Sequence, residues 1–145
     1  MLTCHDVAKY FLSLTDENLG DLISNLKLQK LVYYAQGFHL AIHDTPLFNE
    51  DIEAWVYGPV IPELYYGYKK YGPGHIPSPK DMDFSVFDEE IRSLLDEVYT
   101  VFGQYSAWKL ANMTHEEPTW RDTAECGIIT HNSMREYFKT LLTNE

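Results

Sequence analysis

A mainly α-helical fold, a single compact domain of about six helices around a long central helix with a small β element near residues 52–58, is predicted by three features of this sequence. Apolar residues recur at three- and four-residue spacing in successive stretches. Cap-type residues stand just ahead of those stretches, and glycine or proline follows them. No internal repeat, linker or low-complexity tract interrupts the 145 residues, a length that as a prior means one domain and a self-sufficient apolar core.

The elements follow in order. Thr3 and Asp6 suit an N-cap and a first-turn acid, and Val7, Tyr10, Phe11 and Leu14 then mark one helical face. Gly20 falls in the loop after it. Ser24 or Asn25 can cap the second helix, whose apolar stripe is Leu28, Leu31, Val32, Ala35, Phe38 and Ile42. Pro46 disfavours helical geometry at Thr45, so this helix stops before Asp44, about 28 Å long at ~1.5 Å per residue. Glu53–Tyr57 is rich in strand formers, and Gly58-Pro59 breaks it. Pro62 suits the first turn of a third helix carrying Ile61, Leu64, Tyr65 and Tyr68 on one side. Tyr71-Gly72-Pro73-Gly74 stops it, and a proline-rich loop runs to Pro79. Asp88 caps a fourth helix through Ile91, Leu94, Leu95, Val98 and Phe102, ended by Gly103. Ser106 caps a short fifth through Trp108, Leu110 and Ala111. Thr114 to Gly127 reads as mostly irregular. Ser133 and Glu136 have capping-box spacing for a last helix with Met134, Tyr137, Phe138 and Leu141.

Charge narrows the function. Eleven Lys and Arg oppose 22 Asp and Glu, a formal net charge of -11. Binding nucleic acid requires cations to displace counterions from phosphates, so direct nucleic-acid binding is not expected. Between Lys30 and Lys69 there is no basic residue, while Asp44, Glu50, Asp51, Glu53 and Glu63 occur. Such acidity either confers solubility or steers a basic partner. No apolar run of 18 residues and no secretory signal are present, so no membrane span and a cytoplasmic setting are expected. In a reducing compartment Cys4 and Cys126 are expected to be separate thiols rather than a bridge.

Chemistry is thinly supported. His39 and His43 have zinc-compatible spacing but no completing ligand, and His39 fits a hydrogen-bonded edge of the apolar stripe better. His115-Glu116-Glu117-Pro118 lacks the second His of a zincin motif, and Pro118 would break the helix that motif needs. Cys126 and His131 could form a Cys–His pair only if the fold joined them; a buried structural Cys is the simpler expectation. Phosphate-cradling glycine motifs and a nucleophile elbow are absent from the sequence. No catalytic residue, metal or cofactor is therefore expected, and the chain reads as a non-enzyme.

Aromatic residues suggest a binding face instead. Six of the seventeen residues from 55 to 71 are Trp or Tyr: Trp55, Tyr57, Tyr65, Tyr66, Tyr68 and Tyr71. Helical spacing puts Tyr65 and Tyr68 on the core side and Tyr66 elsewhere. Such residues either fill the core with hydroxyls at its rim or form an interface hot spot. Trp55, Tyr57, Tyr65, Tyr66 and Tyr68 are the expected partner-binding set.

Three ordered segments carry a resemblance. Lys27-Leu28-Gln29-Lys30-Leu31-Val32-Tyr33-Tyr34-Ala35-Gln36-Gly37-Phe38-His39, then Glu53-Ala54-Trp55-Val56-Tyr57-Gly58-Pro59-Val60-Ile61-Pro62 with the Tyr-rich helix, then Leu110 through Thr114-His115-Glu116 to Pro118 and Trp120, resemble the Panacea domain of SocA-like antitoxins. The match in order and spacing over residues 3 to 140 implies that 1–145 is one Panacea-like domain. It also implies an antitoxin that neutralises a cognate protein toxin by direct contact, a toxin that the acidity of this chain leads us to expect to be basic. Adaptor delivery of the toxin to the ClpXP protease and a phage- or prophage-encoded regulatory role are the alternatives it carries. The family pattern falls on Lys27, Leu28, Gln29, Lys30, Tyr33, Tyr34, Gln36, Trp55, Tyr57, Gly58, Pro59, Pro62, Tyr65, Thr114, His115 and Trp120. Leu28 fits the buried stripe, and Gln29, Lys30 and Gln36 are expected to be exposed unless they satisfy buried groups. His115, ending a helix, could donate to a free carbonyl and brace Trp55 or Trp120, or else touch the toxin.

Overall fold

The computed structural model describes residues 1–16, 18 and 22–142; Gly20, expected in the first loop, lies outside them. Helix α1 (Cys4–Ser13) opens on a capping box, in which Thr3 Oγ1 accepts from the Asp6 amide and Asp6 accepts from the Thr3 amide. Helix α2 (Asn25–His43) is capped by Ser24 and stops at Asp44, whose φ of 60° is left-handed. Strands β1 (Glu53–Trp55) and β2 (Gly58–Val60) form an antiparallel hairpin, followed by α3 (Pro62–Tyr68) with Pro62 in its first turn. Two single 3₁₀ turns, Lys69–Tyr71 and Phe84–Val86, flank the proline-rich loop. Helices α4 (Glu89–Phe102), α5 (Ala107–His115), α6 (Pro118–Arg121) and α7 (His131–Leu142) complete the order.

The expected mainly helical architecture around a long central helix is what forms, with a two-stranded β element. Helix α2 is enclosed by α1, α3, α4, α5, α7 and β2, so its buried surface wraps around the axis rather than running as one stripe. Polar Gln29, Lys30, Gln36 and the aromatic pair Tyr33–Tyr34 are all buried on it. Ile42, assigned to the stripe, is 49% exposed, while Leu40 and Ala41 beside it in the last turn are buried. At Gly37 the Phe138 ring of α7 occupies the place a Cβ would take. That absence of a side chain lets Phe138 reach Tyr33, Tyr34 and Phe38 edge-on.

Three local expectations are corrected, at Gly58-Pro59, at the cap of α7 and at Trp108. Gly58-Pro59 does not end the β element; it starts the return strand, because Gly58 at φ 112° turns the chain back. Residues 114–127 are mostly irregular, as expected: Thr114 and His115 finish α5, the helix stops before Pro118, and Pro118 opens the one-turn α6, since proline suits a first turn. The cap of α7 is Thr130, whose Oγ1 accepts from the Ser133 amide, and Ser133 lies inside the helix. Trp108, placed with the apolar residues of α5, is 58% exposed.

Candidate functional site: an aromatic groove beside the hairpin

The hairpin pairs Glu53 with Val60, Ala54 with Pro59 and Trp55 with Gly58, leaving Val56-Tyr57 as its two-residue tip. A third extended segment lies against β1: the Ala54 amide donates to the Gly127 carbonyl at 2.9 Å, and the Cys126 amide donates to the Ala54 carbonyl at 2.8 Å. The other side is gripped by side chains. Trp120 Nε1 donates to the Trp55 carbonyl at 2.7 Å, and His115 Nε2, as its protonated nitrogen, donates to the Val56 carbonyl at 2.9 Å. Lys30 Nζ donates to the Pro59 carbonyl at 3.1 Å, and Gln29 Oε1 accepts from the Ile61 amide at 2.9 Å. The His115 and Trp120 rings lie 4.3 Å apart.

Four family-pattern residues, Gln29, Lys30, His115 and Trp120, therefore brace the hairpin and the start of α3. The expectation that Gln29, Lys30 and Gln36 are exposed is corrected on its own condition, since each satisfies buried backbone. Gln29 also donates to Asn25 Oδ1, and Gln36 joins the Phe48 carbonyl to the Leu47 amide. Gly58 is required twice over, by its positive φ and because a Cβ would stand 2.5 Å from Thr114 Oγ1 and 2.8 Å from Lys30 Cε. Thr114 is buried and donates to the Ala111 carbonyl, and Lys27 Nζ donates to the Gly103 carbonyl. Burial pulls the Lys30 amine down to about 7.

Tyr33 and Tyr34 point to a group that sequence reasoning missed. Their hydroxyls donate to the two oxygens of Glu117, each at 2.7 Å, and Tyr33 also meets Thr119 Oγ1. Burial pushes the Glu117 carboxyl up, partly opposed by those two donors. The carboxylate anchors the α5–α6 junction, and hence Trp120, to the central helix. Its signal was present: two adjacent tyrosines on an enclosed helix must both find acceptors.

With the hairpin fixed, its aromatic side chains wall a groove of about 790 Å³ between α3, α5 and the tip. Trp55, Tyr57 and Tyr65 line it, joined by Trp108 from α5. Trp55 meets Tyr65 with centroids 5.1 Å apart, and Tyr57 meets Trp108 at 5.2 Å, both edge-on. Tyr66, 62% exposed, stands on the shoulder beside Trp55 and Tyr65. Tyr68 is not brought to the groove; it is half-buried against the core, with Tyr71 beside it. Trp108 could have been found from helical phase. Ala107, Leu110, Ala111 and Thr114 share the inward face of α5, and position 108 falls off it. A cleft of about 710 Å³ between α6 and α7 is less informative, because hydroxyls of Thr123, Ser133 and Thr140 there already donate to helix carbonyls.

Of the reactive residues, His39 and His43 come together, their rings 4.7 Å apart, without a third ligand beside them among the described residues. His39 Nδ1 meets the Thr45 carbonyl at 2.6 Å, in the edge position expected of it. Cys4 is buried and Cys126 exposed, both as free thiols, which corrects the expectation of a buried Cys126. Among the described residues no three His, Cys, Asp or Glu side chains cluster in a way that could hold a metal. No helix among them is long and apolar enough to cross a membrane.

The fold and this surface define a helical scaffold that braces an aromatic hairpin. The chain belongs to the family described as antitoxin SocA-like, Panacea domain, whose model matches residues 28–121, the stretch from within the first turn of α2 to the end of α6. It is similar to Antitoxin SocA of Caulobacter vibrioides (strain NA1000 / CB15N), 35% identical over 103 residues. That alignment covers 64% of this chain and 55% of the relative, so the chain spans about half the length of the curated protein it matches. No solved structure matches it.

Proposed function

We propose that this protein is an antitoxin that neutralises a cognate protein toxin by direct binding, and that the aromatic groove is the docking face. The observation that carries the reading is Tyr57 and Trp108. Two large aromatic side chains, 54% and 58% exposed, meet edge-to-face on a rigid hairpin whose backbone is held by four buried or half-buried side chains. Exposed aromatics on a preorganised support lose little entropy on docking and dominate interface energetics. The family membership gives that surface its partner class. On this reading the chain works by association, without turnover. The finer partner set, a basic toxin with or without delivery to ClpXP, belongs to the same proposal.

The test is co-expression with the product of the neighbouring gene. Wild-type protein is expected to restore growth, and Tyr57→Ala combined with Trp108→Ala to abolish rescue while the purified variant unfolds at an unchanged temperature. Rescue that survives the double substitution would move the docking face elsewhere; no rescue by folded wild-type protein would remove the antitoxin reading.

A further inference from the structure

The groove has a chemistry more specific than apolarity. Edge-to-face pairing turns the positive edge of one ring to the negative face of the next, leaving further ring faces open to the groove. Such faces attract cations within ~6 Å. One is already held this way, since Lys69 Nζ stands 5.7 Å from the centre of the Tyr66 ring. Glu53 accepts from Trp55 Nε1 at 2.9 Å, which polarises the indole toward a richer ring face. Glu125, exposed, lines the same groove. The charged residues lining the groove are Glu125 and Lys69, the latter being the cation already over the Tyr66 ring. Asp44, Glu50 and Glu63 are engaged elsewhere, with Arg135 and Lys139, the Cys4 amide and His5 respectively.

We infer that the groove is an arginine-reading site: it takes a guanidinium side chain from a basic segment of the partner protein, stacked on the open ring faces with its N–H groups turned to Glu125. Arginine fits better than lysine, because a planar, weakly hydrated guanidinium can stack on a ring and still donate in its own plane. This rests on the reading that the chain docks onto a protein, and it names the chemistry of what enters.

The probe is methylguanidinium, compared with its neutral isostere methylurea, titrated into the nitrogen-15-labelled full chain. The three indole N–H signals report position. Trp55 and Trp108 line the groove, while the Trp120 N–H is held by the Trp55 carbonyl and serves as reference. Methylguanidinium is expected to move the Trp55 and Trp108 signals along a saturating curve, with at least three-fold higher affinity than methylurea. Glu125→Gln, at an exposed position, and Tyr57→Leu should each weaken that affinity at least two-fold without altering thermal unfolding. Equal responses to the two probes, shifts without saturation, or variants that bind like wild type would overturn the inference. Growth rescue without guanidinium preference would leave the docking proposal standing with an uncharged side chain in the groove. Guanidinium preference without rescue would leave the site and remove the toxin.

Discussion

Lys30 has no exposed surface, and among the described residues no carboxylate forms an ion pair with it. Its amine falls to about 7 from the ordinary 10.5 because burial disfavours the charged form. The unfolded chain therefore binds more protons than the folded one between those values, and stability rises with pH across that interval. Cys4, pushed up to about 12 by burial, acts oppositely above 9.0, so the clean window is pH 7 to 9. Over that window wild type should gain roughly 2 kcal/mol relative to Lys30→Met, read from urea unfolding at each pH. Equal pH slopes for the two proteins would show that Lys30 stays charged. Tyr66 is the opposite kind of residue: exposed, with its ring on the groove's shoulder. Tyr66→Ala should weaken toxin binding by about 1 kcal/mol or more while leaving the melting temperature nearly unchanged, and a large fall in melting temperature would assign that ring to packing.

The hairpin is the element on which the site depends, and it is too short to be stable by itself. Its carbonyls are held from α2, α5 and α6, so its rigidity is borrowed. Trp120→Phe keeps a ring against His115 but removes the donor to the Trp55 carbonyl. The expected loss is about 1–2 kcal/mol of stability, with faster hydrogen exchange at the Ala54 amide and weaker docking at the groove. Unchanged exchange would mean that the segment from Cys126 to Ile129 holds the hairpin alone. Elements of this kind separate what was legible in the sequence from what was not. The helices were legible because periodicity and caps are local, as at Thr3, Ser24, Asp88 and Ser106. The aromatic face was legible in part, since Trp55, Tyr57 and Tyr65 cluster in sequence. Tyr68 packs against the core, the side its helical spacing indicates, and not in the groove with the other aromatics; Trp108 is absent from the sequence cluster because it comes from a helix some fifty residues away. The burial of Gln29, Lys30 and Gln36 could not be read locally, because their partners are backbone groups on elements 11 to 32 residues distant.

At the scale of the whole molecule, the segment matched by the family and the unit that folds are different lengths of chain. The match ends at residue 121, yet α7 lies along α2 and closes the core. Phe138 seats over Gly37 among Tyr33, Tyr34 and Phe38, and Met134 is likewise fully buried. Arg135 and Lys139 also reach Asp44 at the end of α2, at 3.5 and 3.2 Å. Those exposed ion pairs contribute little. Losing the two buried side chains is a different matter, at roughly 2–5 kcal/mol each by analogy with large-to-small core substitutions. Their sum is comparable to the ~5–15 kcal/mol that holds a typical domain together. Truncation before Thr130 should therefore leave residues 1–129 without a cooperative thermal transition and with collapsed amide dispersion, even though every family-pattern residue is retained. A sharp transition and native dispersion in the truncated chain would show instead that α2 needs no cover from α7. The hairpin and its groove would then be supported by α1 to α6 alone.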